Sequence, residues 1–139
     1  MKPTLILDCS MTMAWCFADE STPATVRIQD RLASEAALVP AHWFLEVANV
    51  LAMAEKRKRI SPADALQFVQ LLSVLDIQVD EEASRRAFDH ILPLCRSHKL
   101  TSYDAAYLDL VFRRQVPLAS LDDALRRAAT SLGMQVLGK

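Results

Sequence analysis

The sequence predicts an α/β fold in three layers, α/β/α, built around a central parallel sheet of about five short strands. Three observations predict it. Short apolar runs alternate with helical stretches along the whole chain. The first of these runs, Leu5-Ile6-Leu7, lacks the polar–apolar alternation of a half-exposed strand and therefore needs cover on both faces. Helices separate the successive runs, and right-handed crossovers through them put helices over both sides of a parallel sheet. With 139 residues and no linker, repeat or low-complexity segment, residues 1–139 form a single domain. A chain of that size buries roughly 70% of its unfolded surface.

Thr4 to Asp8 is the first strand, apolar until it ends in a carboxylate. Helical texture follows over residues 11–18 and 24–36, the second stretch started by Ser21, Thr22 and Pro23. Ala37-Leu38-Val39 is the second strand, closed by Pro40. A long helix runs from Ala41 to Arg59. Ser61 as cap with Pro62 in the first turn starts another, to about Leu75. Ile77-Gln78-Val79 is the third strand and residues 81–97 are helical. Thr101 caps a helix reaching about Gln115, Pro117-Leu118-Ala119 is the fourth strand, residues 123–132 are helical, and Gln135-Val136-Leu137 is the fifth strand. In open sheets of this kind ligands bind beyond the carboxyl ends of the central strands, which is where chemistry is to be sought.

Composition narrows the chemistry. Only 2 glycines are present, so neither Gly-rich phosphate-binding loop can be written. A formal net charge of −1 leaves nucleic-acid binding to local patches rather than a global field. The 3 cysteines, Cys9, Cys16 and Cys95, are odd in number and form no CxxC pair, which predicts free thiols and a reducing compartment. The N-terminal apolar run is far too short for a secretory h-region, and no stretch approaches the ~20 apolar residues of a membrane span. The expectation is a cytoplasmic protein with no membrane contact.

Four acids then stand out. Asp8 sits at the carboxyl end of a buried strand, where it is either the cap of the next helix or a reactive group. Glu46 lies in Ala41–Ala54, a stretch apolar except for His42, Glu46 and Asn49. Such a helix is expected to be buried nearly all round, and an ionised Glu there costs several kcal/mol unless paired or metal-bound. Asn49 shares its face. Asp104 has Tyr107, Leu108 and Val111 on its own side and points inward, though Thr101 and Asp104 also approximate a capping box. Asp109 faces elsewhere, toward solvent. Asp122 and Asp123 follow the fourth strand and open the last helix. Two unit charges at ~4 Å repel by about 4 kcal/mol at an effective dielectric of 20, so converging carboxylates need a counter-charge. With no His/Cys cluster, all-oxygen ligation favours Mg²⁺ or Mn²⁺. Such ions activate water and neutralise charge on a phosphoryl group, which makes phosphodiester hydrolysis the natural reaction class.

The segments Leu5-Ile6-Leu7-Asp8-Cys9-Ser10, Phe44-Leu45-Glu46-Val47-Ala48-Asn49, Leu100 to Tyr107, and Leu118-Ala119-Ser120-Leu121-Asp122 with the following Leu-Arg-Arg-Ala-Ala resemble, in order and spacing, the PIN-domain family, and within it the VapC-type toxin ribonucleases. The resemblance spans Thr4 to Leu137. It implies that Asp8, Glu46, Asp104 and Asp122 form the acidic cluster, with Ser10, Asn49 and Ser120 in support and Asp123 as neighbour only. It further implies an endoribonuclease acting on RNA, a Mg²⁺ or Mn²⁺ requirement met by Asp8, Asp104 and Asp122, a water oriented or deprotonated by Glu46, homodimerisation, and a small VapB-type antitoxin as partner. The alternative of a different class is a catalytically idle PIN-like module that binds RNA or acts as a scaffold.

Other features have two readings. Lys56 to Arg59, Arg113-Arg114 and Arg126-Arg127 either meet RNA phosphates or are solvated charges, those of Lys56 to Arg59 complementing a helix C-terminus. Trp15, Phe17 and Trp43 either line a groove for a partner helix or belong to the core. Cys95 and His98 lack a second ligand pair and are incidental. A phosphoacceptor receiver module needs adjacent acids after its first strand, and a haloacid-dehalogenase-like phosphatase needs an acid at position 10. This chain has Asp8-Cys9-Ser10.

Overall fold

Residues 1–139 are described by a computed structural model. Strand β1 (Pro3–Leu7) is flanked by β2 (Ala36–Pro40) and β4 (Leu118–Ala119); β3 (Ile77–Asp80) pairs outside β2, and β5 (Val136–Leu137) outside β4. All pairs are parallel and the order is β3-β2-β1-β4-β5. Ile6 aligns with Leu38 on one side and Leu118 on the other. The chain thus winds outward from β1 through β2 and β3, then crosses to β4. The connections reverse direction between β1 and β4, the position where such sheets open a crevice at their carboxyl edge. The sheet and its covering helices match the predicted three-layer α/β/α fold.

The helices are α1 (Cys9–Met13), α2 (Pro23–Arg31), α3 (Trp43–Lys56), α4 (Pro62–Ser73), α5 (Ala83–Arg86), α6 (Leu92–His98), α7 (Ser102–Arg114) and α8 (Asp123–Ser131). Their ends follow local chemistry. Thr22 and Ser61 make reciprocal capping boxes with Thr25 and Asp64, each with a proline in the first turn, satisfying donors that a helix start leaves free. Lys99 and Gln115 adopt left-handed φ of 54° and 55° to end α6 and α7. No helix is long and apolar enough to cross a membrane.

Four expected helices differ from those found. The stretch 11–18 is the five-residue α1 followed by a 3₁₀ turn over Ala18–Glu20, and α2 stops at Arg31 because Ala36 already belongs to β2. The long helix is shorter at both ends. The stretch 81–97 is interrupted by a π-helical turn, Ala87–Ile91, between α5 and α6. Pro93, just after it, has no N–H for the Asp89 carbonyl and its ring crowds that oxygen, which opens the ladder.

The core is continuous. Leu5, Ile6 and Leu7 are fully buried, as is the segment Ala105 to Val111 of α7. Helix α7 packs on β1 and β2 while α6, the π turn and α8 cover it, so it is enclosed on nearly every side. Phe17 and Trp43 are buried and Trp15 packs against the core, with the two indole N–H groups donating to Thr25 O and Thr12 Oγ1. The aromatic residues therefore belong to the core. Helix α3 is not dry all round: Phe44 is 47% and Leu45 74% exposed, because only the stripe Trp43, Val47, Leu51, Ala54 faces inward.

Candidate active site

Strand β1 delivers Asp8 to the carboxyl edge at the reversal between β1 and β4. There Asp8 is both cap and buried acid. Its Oδ1 accepts the Met11 N–H at 2.9 Å, starting α1, yet the residue is 4% exposed. Ser10 Oγ donates to its carboxylate at 2.7 Å, and Ser120 Oγ, from the end of β4, donates to Oδ2. The same hydroxyls accept the Leu121 and Asp122 N–H groups. Ser10 and Ser120 therefore tie the loops after β1 and β4 into one unit around Asp8. Burial pushes the Asp8 carboxyl up to about 6 against the pull of Ser120, Met11 N–H and Ser10, and the charge of Asp122 adds to the rise.

Glu46, on α3, reaches the same edge half-buried. Tyr107 Oη, from α7, donates to its Oε1 at 2.7 Å. His42, one turn earlier on α3, places Nε2 at 3.5 Å from the same oxygen and 3.1 Å from Tyr103 O. Burial raises Glu46 above the usual carboxylate range; Tyr107 opposes this and Asp104 adds to it. Burial lowers His42, which is therefore neutral at neutral pH. Asp104, half-buried on the first turn of α7, is raised by burial and then by Asp122. Thr101 Oγ1 accepts the Asp104 N–H at 3.2 Å, but the return bond that would close a capping box is not made.

Asp122 caps α8, its Oδ1 accepting Leu125 N–H at 2.8 Å. Its influence on Asp8 and Asp104 marks it as part of the same electrostatic group. Asp123 instead pairs with Lys139 at the surface. Asn49 is exposed and makes no side-chain hydrogen bond; it lines a small cleft with Phe17, Val50 and Arg57, rather than the acid cluster.

The molecule holds two kinds of buried acid. Burial alone would raise Asp80, but Arg113, the Glu82 N–H and Arg114 outweigh it and hold Asp80 at about 2. Asp109 is likewise paired, with Arg86 at 2.7 Å and Arg113 at 3.1 Å. This corrects the expectation that Asp109 is solvated: α7 has no open face at that position, and the arginines supply its charge balance. Asp8, Asp104 and Asp122 take part in no ion pair. Their side chains as oriented do not bring three ligating groups together on one point, in keeping with like charges that turn toward hydroxyls and N–H groups instead. The carboxylates of Asp8, Asp104 and Asp122 with the hydroxyls of Ser10 and Ser120 are an oxygen donor set, which suits a hard divalent cation. The sequence reading missed Tyr107 and His42 as partners of Glu46. Their signal was spacing, Tyr107 three residues after Asp104 on its inward face and His42 four before Glu46.

The family model for the PIN domain matches residues 5–130. Among solved structures, PAE2754 from Pyrobaculum aerophilum superposes with a TM-score of 0.69 at 19% identity, covering 92% of this chain and 87% of that one. VapC20 from Mycobacterium tuberculosis, described as a sarcin–ricin loop cleaving toxin, superposes with a TM-score of 0.60 at 14% identity, covering 89% of this chain and 94% of that one. No curated protein matches the sequence. With the family model spanning most of the chain, including β2, β3, β4 and both acid-bearing loops, the chain belongs to the PIN domain family.

Proposed function

We propose that this chain is a metal-dependent endoribonuclease that hydrolyses RNA phosphodiester bonds. The observation that carries the reading is the contrast between its buried acids: Asp80 and Asp109 each have arginine partners, while Asp8, buried at the β1–β4 reversal, has only hydroxyl and N–H donors. An unpaired buried carboxylate beside Asp104 and Asp122 is costly until a cation joins it. Mg²⁺ or Mn²⁺, when bound, would neutralise charge on the phosphoryl group and polarise water. Asp8, Asp104 and Asp122 are the residues that would hold it, with Ser10 and Ser120 fixing Asp8. Glu46 orients the attacking water or takes its proton. Since Oε1 is held by Tyr107, Oε2 is the oxygen free for that proton.

The likeness to a VapC toxin supports a further step, that the chain is the toxin of a type II toxin–antitoxin pair in the cytoplasm. A VapB-type antitoxin and a second copy of the chain would then be its protein partners. An apolar groove of about 640 Å³ between α3 and α4, lined by Phe44, Leu66 and Val69 among others, is the surface that supports protein partners, since exposed apolar patches mark association sites. The test is cleavage of a panel of cellular RNAs with Mg²⁺ or Mn²⁺, beside chelator and an Asp8→Asn control. Metal-dependent cleavage lost in Asp8→Asn supports the nuclease. Cleavage undiminished by Asp8→Asn overturns the mechanism, and RNA binding with no cleavage under any metal favours the idle RNA-binding module.

A further inference from the structure

A second pocket opens beside the acids. It has a volume of about 380 Å³ and lies between the π-helical turn with its flanking helices and the first turns of α7. His42 and Tyr103 form one wall, Phe88 and Ile91 come from the π turn, and Ser84 and Ser102 contribute hydroxyls. His42 connects it directly to the candidate active site, with Nε2 at 3.5 Å from Glu46 Oε1, and Tyr103 precedes Asp104 in the chain. The His42 and Tyr103 rings meet edge to face at 5.5 Å.

Three properties define what fits. No lysine, arginine, aspartate or glutamate lines the pocket, so its ligand portion is neutral. Phe88 and Tyr103 line it although 83% and 61% exposed, which is wasteful for core residues but suited to stacking. Polar groups are few. A carbonyl can only accept, so His42 Nε2 donates to Tyr103 O and Nδ1 is left as an acceptor, beside two serine hydroxyls. A small, mostly apolar cavity with a few polar groups is how small planar ligands are held, and unpaired bases are bound by stacking on aromatic side chains.

The walls are also fixed in place. Arg86, the last residue of α5, is anchored to Asp109 of α7 through two bonds of 2.7 and 2.9 Å. The wider π turn begins at the next residue and brings Ala87, Phe88 and Ile91 to the pocket. Such turns recur at functional sites.

We propose that this pocket receives one unstacked nucleobase of the RNA, next to the phosphate held at the carboxylates, and so gives the enzyme a base preference at that position. The proposal rests on the ribonuclease reading above. It is tested by fluorescence anisotropy with the full Glu46→Gln chain in Mg²⁺, which keeps Asp8, Asp104 and Asp122 but removes the proposed base, using labelled hexaribonucleotides of each base and an abasic hexamer of equal length. The expected result is that at least one base-bearing hexamer binds about tenfold or more tightly than the abasic one. Phe88→Ala and Tyr103→Ala should each remove most of that difference, Phe88→Trp should keep it, and abasic binding should not change. Equal binding of abasic and base-bearing hexamers, no binding of any, or an undiminished difference in the Phe88→Ala, Tyr103→Ala double variant would overturn the pocket. Wild-type cleavage is scored separately: metal-dependent cutting beside base-insensitive binding removes the pocket and leaves the nuclease, whereas base-dependent binding without cutting supports the pocket and removes the nuclease.

Discussion

Tyr107 Oη donates to Glu46 Oε1 at 2.7 Å, joining α7 to α3 across the mouth of the acid cluster. The phenol is 1% exposed and its own ionisation is driven far upward by burial and by Glu46, so it is a permanent donor. Its effect on Glu46 is to favour the carboxylate, opposing the rise that burial imposes. A base must be unprotonated to work, so the acid limb of the pH–rate profile reports this balance.

Tyr107→Phe keeps the ring and removes only the hydroxyl. The proton on Glu46 then becomes harder to lose, so the acid limb should move to higher pH. At a pH on that limb kcat should fall by about tenfold, equivalent to roughly 1.4 kcal/mol, with a smaller loss at high pH. Stability should fall by only about 1 kcal/mol, because water can replace the donor at a half-buried carboxylate. Urea unfolding beside the pH profile separates the two effects, and an unmoved acid limb would remove Tyr107 from the positioning of Glu46.

Asp8 should trade stability for chemistry. Its carboxyl is raised from 3.8 to about 6 by burial, so the folded chain holds that proton more tightly than the unfolded one. Its contribution therefore favours folding fully below about pH 3.8 and is lost as the pH rises through about 6. In chelator at pH 7.5, Asp8→Asn should be more stable than wild type by ~1–3 kcal/mol, and the gain should shrink toward pH 4. Thermal melts across that range measure it; a destabilised Asp8→Asn at pH 7.5 would mean that its hydrogen bonds outweigh its charge. Nuclease activity should drop at least a hundredfold in the same variant.

Metal should act on stability in the opposite direction. A cation that binds only the folded chain stabilises it by ~2.7 kcal/mol at one hundred times its Kd, several degrees of melting temperature for a domain this size. Mn²⁺ added to the wild type should therefore raise Tm, the rise should disappear in Asp8→Asn, and it should weaken below about pH 6 as Asp8 takes up its proton. An equal rise in Asp8→Asn would place the ion elsewhere.

Much of this organisation is legible in the sequence because the signals are local. Leu5 to Leu7 announce a buried strand, Ser61-Pro62 and Thr101 announce helix starts, and an acid at each of two strand ends points to one edge. What is not legible depends on partners far along the chain. Asp109 meets Arg86 from 23 residues away, and nothing in the α7 pattern shows that three elements close over it. Nor does an apolar helix such as α3 reveal which of its faces meets the core: Val47 and Leu45 differ little in hydropathy, yet one is buried and the other 74% exposed. The π turn was hidden for another reason. Its cause, Pro93, lies after it, and a proline near a helix start elsewhere in this chain, as at Pro62, is favourable.

The Arg86–Asp109–Arg113–Asp80–Arg114 network binds β3, the π-turn region and α7 together, and its removal should be felt both as stability and as pH dependence. Asp80 is held at about 2 and Asp109 below its ordinary value, by arginine bonds that outweigh burial in each case. Depressed carboxylates contribute stability that is present above the unfolded pKa near 3.8 and lost as pH falls toward about 2. Wild type should thus lose stability between about pH 4 and pH 2, and Asp109→Asn should show a shallower decline over the same range. At pH 7 that variant should be less stable by ~3 kcal/mol, since Arg86 loses its ion-pair partner while partly buried and Arg113 keeps Asp80 alone. Asp109 touches none of the four site acids, so Mn²⁺ should still raise the melting temperature of Asp109→Asn by as much as it does for wild type. An acid decline of unchanged slope in Asp109→Asn would assign the low-pH loss to Asp80 alone.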